Sequence, residues 1–461
     1  MSGYPISRPA GKRRHLQLPQ LHVLRWPSGW YDALAARCLL FPSIVFAIHF
    51  LIVQFVAMLA FSRMAHSTTY DGARARVGLV ATLDGTWASI VTPLSRWDGL
   101  WYTAASRNGY QYDTVTGVYR FGGSEDTLWP LLPWIMRAGS TVTGLSQEVV
   151  GFLLVNACFA GALVALYRLI SDEFGMEIAR RSLWCIVLLP ASFFYQALYT
   201  EAPFLLLAAL AFLAAKRNNW LLAGVIALLA ALLRSQGVLL IAPLLVLATS
   251  QTRTEKRTFT PGVAWLLLPL LGPLTATWLR TTRGISWEGM LRLQRNAFAN
   301  DHEPWTAVSC AIRNCGAPPH PIGPTFRNMI PDPGWNWAMQ LLQHPSWALI
   351  SSPGWRRHFA VSTSVDLIVA AACLLLVIVG LTRLPLWMSV YVLTLLTIAC
   401  IRLPLDAPFT GFARFSLLLF PLAIVLATLL GDYLTRIIAV SASLLVLAAL
   451  TAQFANGYWV S

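Results

Sequence analysis

Long apolar runs recur along this chain, separated by short charged connections, and they limit what it can fold into before any motif is considered. The runs lie at about 41–62, 147–168, 182–198, 202–215, 220–233, 237–249, 262–280, 361–381, 385–402, 414–431 and 437–455. A bilayer core of about 30 Å takes about 20 helical residues to cross. Several runs are shorter than that. Pairs such as 182–198 and 202–215 read as helical hairpins, or as helices that continue past their apolar stretch. Hydrophobic residues make up 56% of 461 positions, charged residues only 12%, and mean hydropathy is +0.59. The expected fold class is an all-α polytopic membrane protein, a bundle of about eleven transmembrane helices whose exterior loops carry short helices.

The charges orient the bundle. Of the 34 basic residues, 31 are arginine, and they are scattered along loops rather than gathered on a nucleic-acid surface. A net charge of +14 suits anionic lipid headgroups and phosphate-bearing substrates. Residues 1–37 are polar and basic (Arg8, Lys12, Arg13, Arg14) with no apolar core for a cleavable signal peptide. The connections Arg168–Arg181, Lys216–Asn219, Arg253–Arg257, Arg383 and Asp432–Arg436 share the side of that basic N-terminus. Positive-inside logic makes this side cytoplasmic and leaves the C-terminus outside. The expected organisation is a basic N-terminus at 1–40, a first span at 41–62 and an extracytoplasmic loop at 63–146. A transmembrane bundle at 147–280, an exterior lid at 281–360 and a second bundle at 361–461 follow.

That topology gathers the unusual polar features on the outer face. They are the 63–146 loop, the Tyr199-Thr200-Glu201 turn, the Arg234-Ser235-Gln236-Gly237 turn, the 281–360 segment and the Arg402–Arg414 turn. Ionisable groups near bilayer depth are costly and tend to mark a substrate path, although each could be an ordinary solvated loop residue. The first loop holds Arg96-Trp97-Asp98-Gly99-Leu100-Trp101-Tyr102, a lone carboxylate ringed by aromatics. Trp97, Trp101 and Tyr102 suit a sugar or lipid-linked sugar, and Asp98 could act as a base. The alternative is an interfacial tryptophan belt with Asp98 capping a short helix. Leu128-Trp129-Pro130-Leu131-Leu132-Pro133 is too short and proline-rich for a span and reads as an interfacial or re-entrant helix. No internal repeat is visible, which weighs against a transporter built from inverted halves.

Other chemistries lack their residues. There is no glycine-rich phosphate loop, no Cys-x-x-Cys pair and no Asp-x-Asp, and His302, His320, His344 and His358 do not cluster. Asp301-His302-Glu303 could coordinate a metal but reads first as a solvated polar loop, and neither a metal nor a cofactor is expected. Cys38, Cys158, Cys185, Cys373 and Cys400 sit in or beside apolar runs as packing residues. Cys310 and Cys315 share the exterior lid and are expected to form a disulfide.

Five motifs in order carry a resemblance. Trp97-Asp98-Gly99 is followed by Asn108-Gly109-Tyr110, then by the proline-rich 128–133 stretch. Pro190-Ala191-Ser192 comes next with Tyr199-Thr200-Glu201, then Arg234-Ser235-Gln236-Gly237, then Arg414-Phe415 before Pro421. In these the chain resembles the PIG-V family of membrane mannosyltransferases, which includes GPI mannosyltransferase 2 and bacterial relatives, within the GT-C superfamily. The resemblance covers about residues 90–250 well and 400–425 loosely.

It implies an enzyme that moves mannose from dolichyl- or polyprenyl-phosphate mannose to a glycolipid acceptor, with inversion and without a cofactor. Asp98 would be the general base, Glu201 would orient Asp98 or bind a sugar hydroxyl, and Arg234, Arg402 and Arg414 would pair with the donor phosphate. A small membrane partner subunit is compatible with this picture; nucleic acid is not. The acceptor would be a GPI precursor in the endoplasmic reticulum membrane or a cell-envelope glycan in a bacterial plasma membrane. The chemistry would in both cases lie on the lumenal or extracytoplasmic face. Two readings from other classes compete: a polyprenyl-lipid transporter, and a non-catalytic subunit of a glycosyltransferase complex.

Overall fold

The computed structural model describes residues 28–64, 66–67, 83, 85–109, 128–255, 261–282, 355–401, 411–458 and 460. Every element among them is an α- or 3-10 helix, and no strand occurs among the described residues. Most of the expected lid, with Cys310, Cys315 and Asp301-His302-Glu303, lies outside them, as does Arg402.

Among the described residues four helical stretches are long and apolar enough to cross a membrane: Leu39–Arg63, Gln147–Phe174, Gly262–Thr281 and Tyr433–Ala455. Shorter apolar helices include Trp220–Leu233, Ile368–Arg383, Leu386–Thr397 and Phe420–Leu429. The 128–133 segment is helical from Leu131 and continues to Thr143, with Pro130 as N-cap. A proline there costs nothing, because the first turn has no intrahelical acceptor for its N–H.

Two apolar runs are not continuous helices. The run 182–198 begins within a helix that stops at Val187. Pro190 disfavours helical backbone before it and offers no N–H of its own. The chain then makes a 3-10 turn over Ser192–Tyr195. Likewise 414–431 is split into Phe412–Ser416 and Phe420–Leu429, with Pro421 at the start of the second helix.

The break after Val187 lowers an unwound segment into the core, and residues 191–200 are all buried. Irregular backbone at that depth survives only where protein surrounds it and its polar groups are paired. Here the amides of Ser192, Phe194 and Gln196 close local turns, and Leu198 N–H donates to Leu94 O at 2.9 Å. His49, buried in the first long helix, pins the same segment. Gln196 Nε2 lies 2.7 Å from His49 Nδ1, and Ser192 Oγ lies 3.0 Å from His49 Nε2. Because Ser192 Oγ–H donates to Val187 O at 2.7 Å, the imidazole must carry its proton on Nε2 and accept at Nδ1.

The segment ends where α1 (Glu201–Lys216) starts. That helix of 16 residues is about 24 Å long. The chain turns at 217–219 and returns through α2 (Trp220–Leu233) to Arg234. At the far pole Lys216 pairs with Glu173 at 2.6 Å. At the near pole the hairpin brings Glu201 and Arg234 side by side.

Candidate active site

Asp98 is the first residue of α3 (Asp98–Asn108). The N-cap residue before it, Trp97, has φ 50° and ψ −107°, a backbone setting that a bulky L-residue adopts only under constraint. The constraint comes from the C-terminus. Trp97 Nε1–H donates to Tyr458 O at 3.1 Å, and Arg96 Nε–H to Ala455 O at 3.1 Å, with the Arg96 guanidinium 5.1 Å from the centre of the Phe61 ring. Gly99 completes the turn, since a Cβ there would sit 3.3 Å from both Leu198 Cβ and Leu198 O. This short element is therefore bolted between the last helix and the buried 191–200 segment.

Asp98 does not cap its helix with its side chain. Its Oδ2 instead accepts from Arg414 Nη1–H at 2.6 Å, while its backbone N–H donates to Tyr199 Oη at 3.2 Å. Arg414 also gives its Nε–H to Glu201 Oε1 at 2.6 Å. The same carboxylate oxygen receives Arg234 Nη1–H at 2.5 Å, and Arg234 Nη1 lies 2.9 Å from Thr200 Oγ1. Two carboxylates and two guanidiniums thus form one chain: Asp98, Arg414, Glu201, Arg234. Glu201 does not touch Asp98 directly; it reaches it through Arg414.

Burial grades this chain. Glu201 has no exposed side-chain surface, whereas Arg414 keeps 20% and Asp98 27%. Buried charges persist only when paired, and Glu201 meets that condition with two arginines. Its other oxygen, Oε2, is buried with no hydrogen-bond partner among the described residues. The outer end, Asp98 with Arg414, is where a ligand can reach.

Aromatics shape the floor. The Arg414 guanidinium carbon lies 4.4 Å from the Tyr199 ring centre and 5.5 Å from that of Phe194. Burial, reinforced by the Asp98 carboxylate, pushes the Tyr199 phenol well above its ordinary range, so it stays protonated. The Tyr102 phenol is pushed up to about 12 by burial first and Asp98 second. Among the expected aromatic flanks, Trp97 and Tyr102 are buried and only Trp101 is partly open. Trp97 anchors backbone.

The sequence reading did not single out the residues that aim Arg414. Asp366, fully buried on the Trp355–Arg383 helix, accepts from Gly411 N–H at 3.1 Å and Ala413 N–H at 2.8 Å. It therefore holds the N-terminus of α4 (Phe412–Ser416), the short helix that carries Arg414. Beyond that helix, Tyr195 Oη–H donates to Leu417 O at 2.6 Å and Tyr391 Oη–H to Leu418 O at 2.7 Å. The available signal was a lone Asp in an otherwise apolar run. Of the four candidate site arginines and acids that can be traced, all four meet; Arg402 lies outside the described residues.

Among the described residues no group of three or more His, Cys, Asp or Glu side chains is placed to hold a metal ion. No protein-family model matches the sequence, and no curated protein matches it.

Proposed function

We propose that the protein is an integral-membrane glycosyltransferase of the GT-C type, with a bundle of about eleven spans. It takes mannose from a polyprenyl- or dolichyl-phosphate donor and passes it to a glycolipid hydroxyl. The observation that carries this reading is the juxtaposition of a partly exposed carboxylate, Asp98, with two arginines at one end of an apolar helical bundle. Such a site can take a proton and hold an anion at once. In the reaction, the acceptor oxygen bonds to the anomeric carbon as the bond from that carbon to the phosphate oxygen breaks. The hydroxyl proton goes to Asp98, and the electron pair leaves with the phosphate. Polyprenyl phosphate needs no protonating acid, only positive charge, which Arg414 and Arg234 supply. The motif resemblance to PIG-V mannosyltransferases supports mannose as the sugar, and the basic connections at the opposite pole support an extracytoplasmic site.

Transport predicts charge at mid-span. The groups that lie inside apolar runs are committed to structure: His49 is closed in by Ser192 and Gln196, and Asp366 accepts from the Gly411 and Ala413 amides. Transfer from radiolabelled polyprenyl-phosphate mannose to extracted lipids tests the enzyme reading. Asp98→Asn keeps the shape but cannot take the proton, so transfer should fall by about 10² or more. A variant keeping half of wild-type transfer at equal expression removes Asp98 from the role, and wild-type protein without transfer sinks the reading.

A further inference from the structure

The base proposed above is already occupied. Asp98 Oδ2 is held by Arg414 Nη1–H at 2.6 Å, so that oxygen faces a guanidinium donor where the acceptor hydroxyl would have to approach. Arg414 is not held equally at its two ends. Its Nε is tied at 2.6 Å to Glu201, which is fully buried, and its face rests 4.4 Å from the centre of the Tyr199 ring. Its Nη1 end meets Asp98 where both groups retain exposed surface, and partly solvated pairs are weakly held. One end is an anchor and the other is exchangeable.

We propose that Arg414 is a donor-operated clasp on the base: the phosphodiester of the incoming lipid donor draws its Nη1 end off Asp98, so that Asp98 becomes able to accept a proton only after the donor has bound. This rests on the transferase reading and adds an order of binding to it, donor before activation of the acceptor. Phosphate oxygens match a guanidinium better than a single carboxylate oxygen does, because two N–H donors can be met together. The charges also follow. As the sugar leaves the phosphate, negative charge grows on phosphate, while Asp98 loses its own by taking the acceptor's proton. A guanidinium that moves from Asp98 to phosphate keeps pace with that charge, and the Glu201 anchor lets it move without leaving the site.

The clasp can be read without any sugar transfer. Full-length protein in detergent is treated with a water-soluble carbodiimide and an amine nucleophile, and modification of Asp98 is followed by peptide mass spectrometry. Glu177, whose side chain is 65% exposed, serves as the internal standard. The probe is a short-chain polyprenyl phosphate, and the corresponding neutral polyprenol is the control. Binding the phosphate should raise Asp98 modification by about fivefold or more, in line with ordinary coupling between a ligand and a two-position group, and polyprenol should leave it unchanged. Arg414→Gln should give the high value without lipid, and Arg414→Lys, the gentler change, should lie between. Asp98 modification that polyprenyl phosphate leaves unchanged or lowers in the wild type overturns the clasp. So does Asp98 modification in both Arg414 variants that is no faster than in wild type. Wild-type protein that transfers mannose without a labelling response keeps the transferase reading and loses the clasp; a labelling response without transfer keeps the phosphate-driven release of Asp98 by Arg414 and loses the transferase reading, and with it the role of Asp98 as base.

Discussion

Two carboxylates stand 2.6 Å from the same guanidinium, and their surroundings give them different work. Glu201, buried between Arg234 and Arg414, holds positive charge in place; Asp98, at the rim, exchanges it. Substitution should separate the two. Glu201→Gln leaves two arginines without a buried anion, a change that costs about 3–5 kcal/mol when one partner of a buried pair is removed. Asp98→Asn breaks only a partly exposed pair and should cost about 0–1 kcal/mol. Thermal unfolding in detergent, read beside transfer, should therefore show Asp98→Asn as stable and inactive and Glu201→Gln as unstable. Equal losses of stability would mean that Asp98 is structural. Arg234 shows where sequence reasoning stopped. A guanidinium at the end of an apolar helix signals an anionic partner, and donor phosphate was the expected one. The structure supplies Glu201, 33 positions away in sequence, a pairing that hydropathy does not encode. Arg234→Leu should thus lower stability as well as donor affinity, by leaving Glu201 with Arg414 as its remaining guanidinium.

At the scale of elements, helices with capping residues and apolar length were legible, and breaks inside apolar runs were not. Run length reports what tolerates lipid; it does not report where a proline removes a donor. Hence 182–198 read as a span, although Pro190 ends the helix and yields the buried turn that delivers Tyr199 and Glu201. Gly237 shows how tightly the next turn is packed. A Cβ there would stand 2.2 Å from the Ala230 carbonyl carbon, with backbone that cannot swing aside. Gly237→Ala should cost about 1–3 kcal/mol by overpacking and displace Arg234 with the turn. A thermal midpoint equal to wild type would show that the turn has more room than this. Asp366 acts on the element that bears Arg414. Asp366→Ala removes the acceptor of two backbone amides and should cost about 1 kcal/mol, the usual worth of a helix cap. Transfer should fall further than that stability loss explains, because Arg414 loses its aim. Retention of full transfer would show that Tyr195 and Tyr391 suffice to hold α4.

Among the described residues, the hairpin of Glu201–Lys216 and Trp220–Leu233 carries an ion-paired cluster at each end. One pole holds Asp98, Arg414, Glu201 and Arg234; the other holds the Lys216–Glu173 pair at 2.6 Å. The overall class was legible because composition and run length are bulk properties of a membrane protein. The convergence of four chain segments was legible only as a shared side, inferred from alternating topology. Which side faces out is the last prediction, and it depends on the bias of basic residues. Val142, 86% exposed near the end of the Leu131–Thr143 helix, belongs to the pole of the site; Asn218 lies in the tight turn at the opposite one. Single cysteines at these positions, in an otherwise cysteine-depleted chain, should divide cleanly in intact cells or sealed vesicles. A membrane-impermeant maleimide should modify Val142→Cys from outside and leave Asn218→Cys untouched until the membrane is opened. The reverse pattern would invert the molecule and put Asp98 on the cytoplasmic face, where a donor presented outside could not meet it. Modification of both from one side would mean that Glu201–Lys216 and its return helix do not cross the bilayer.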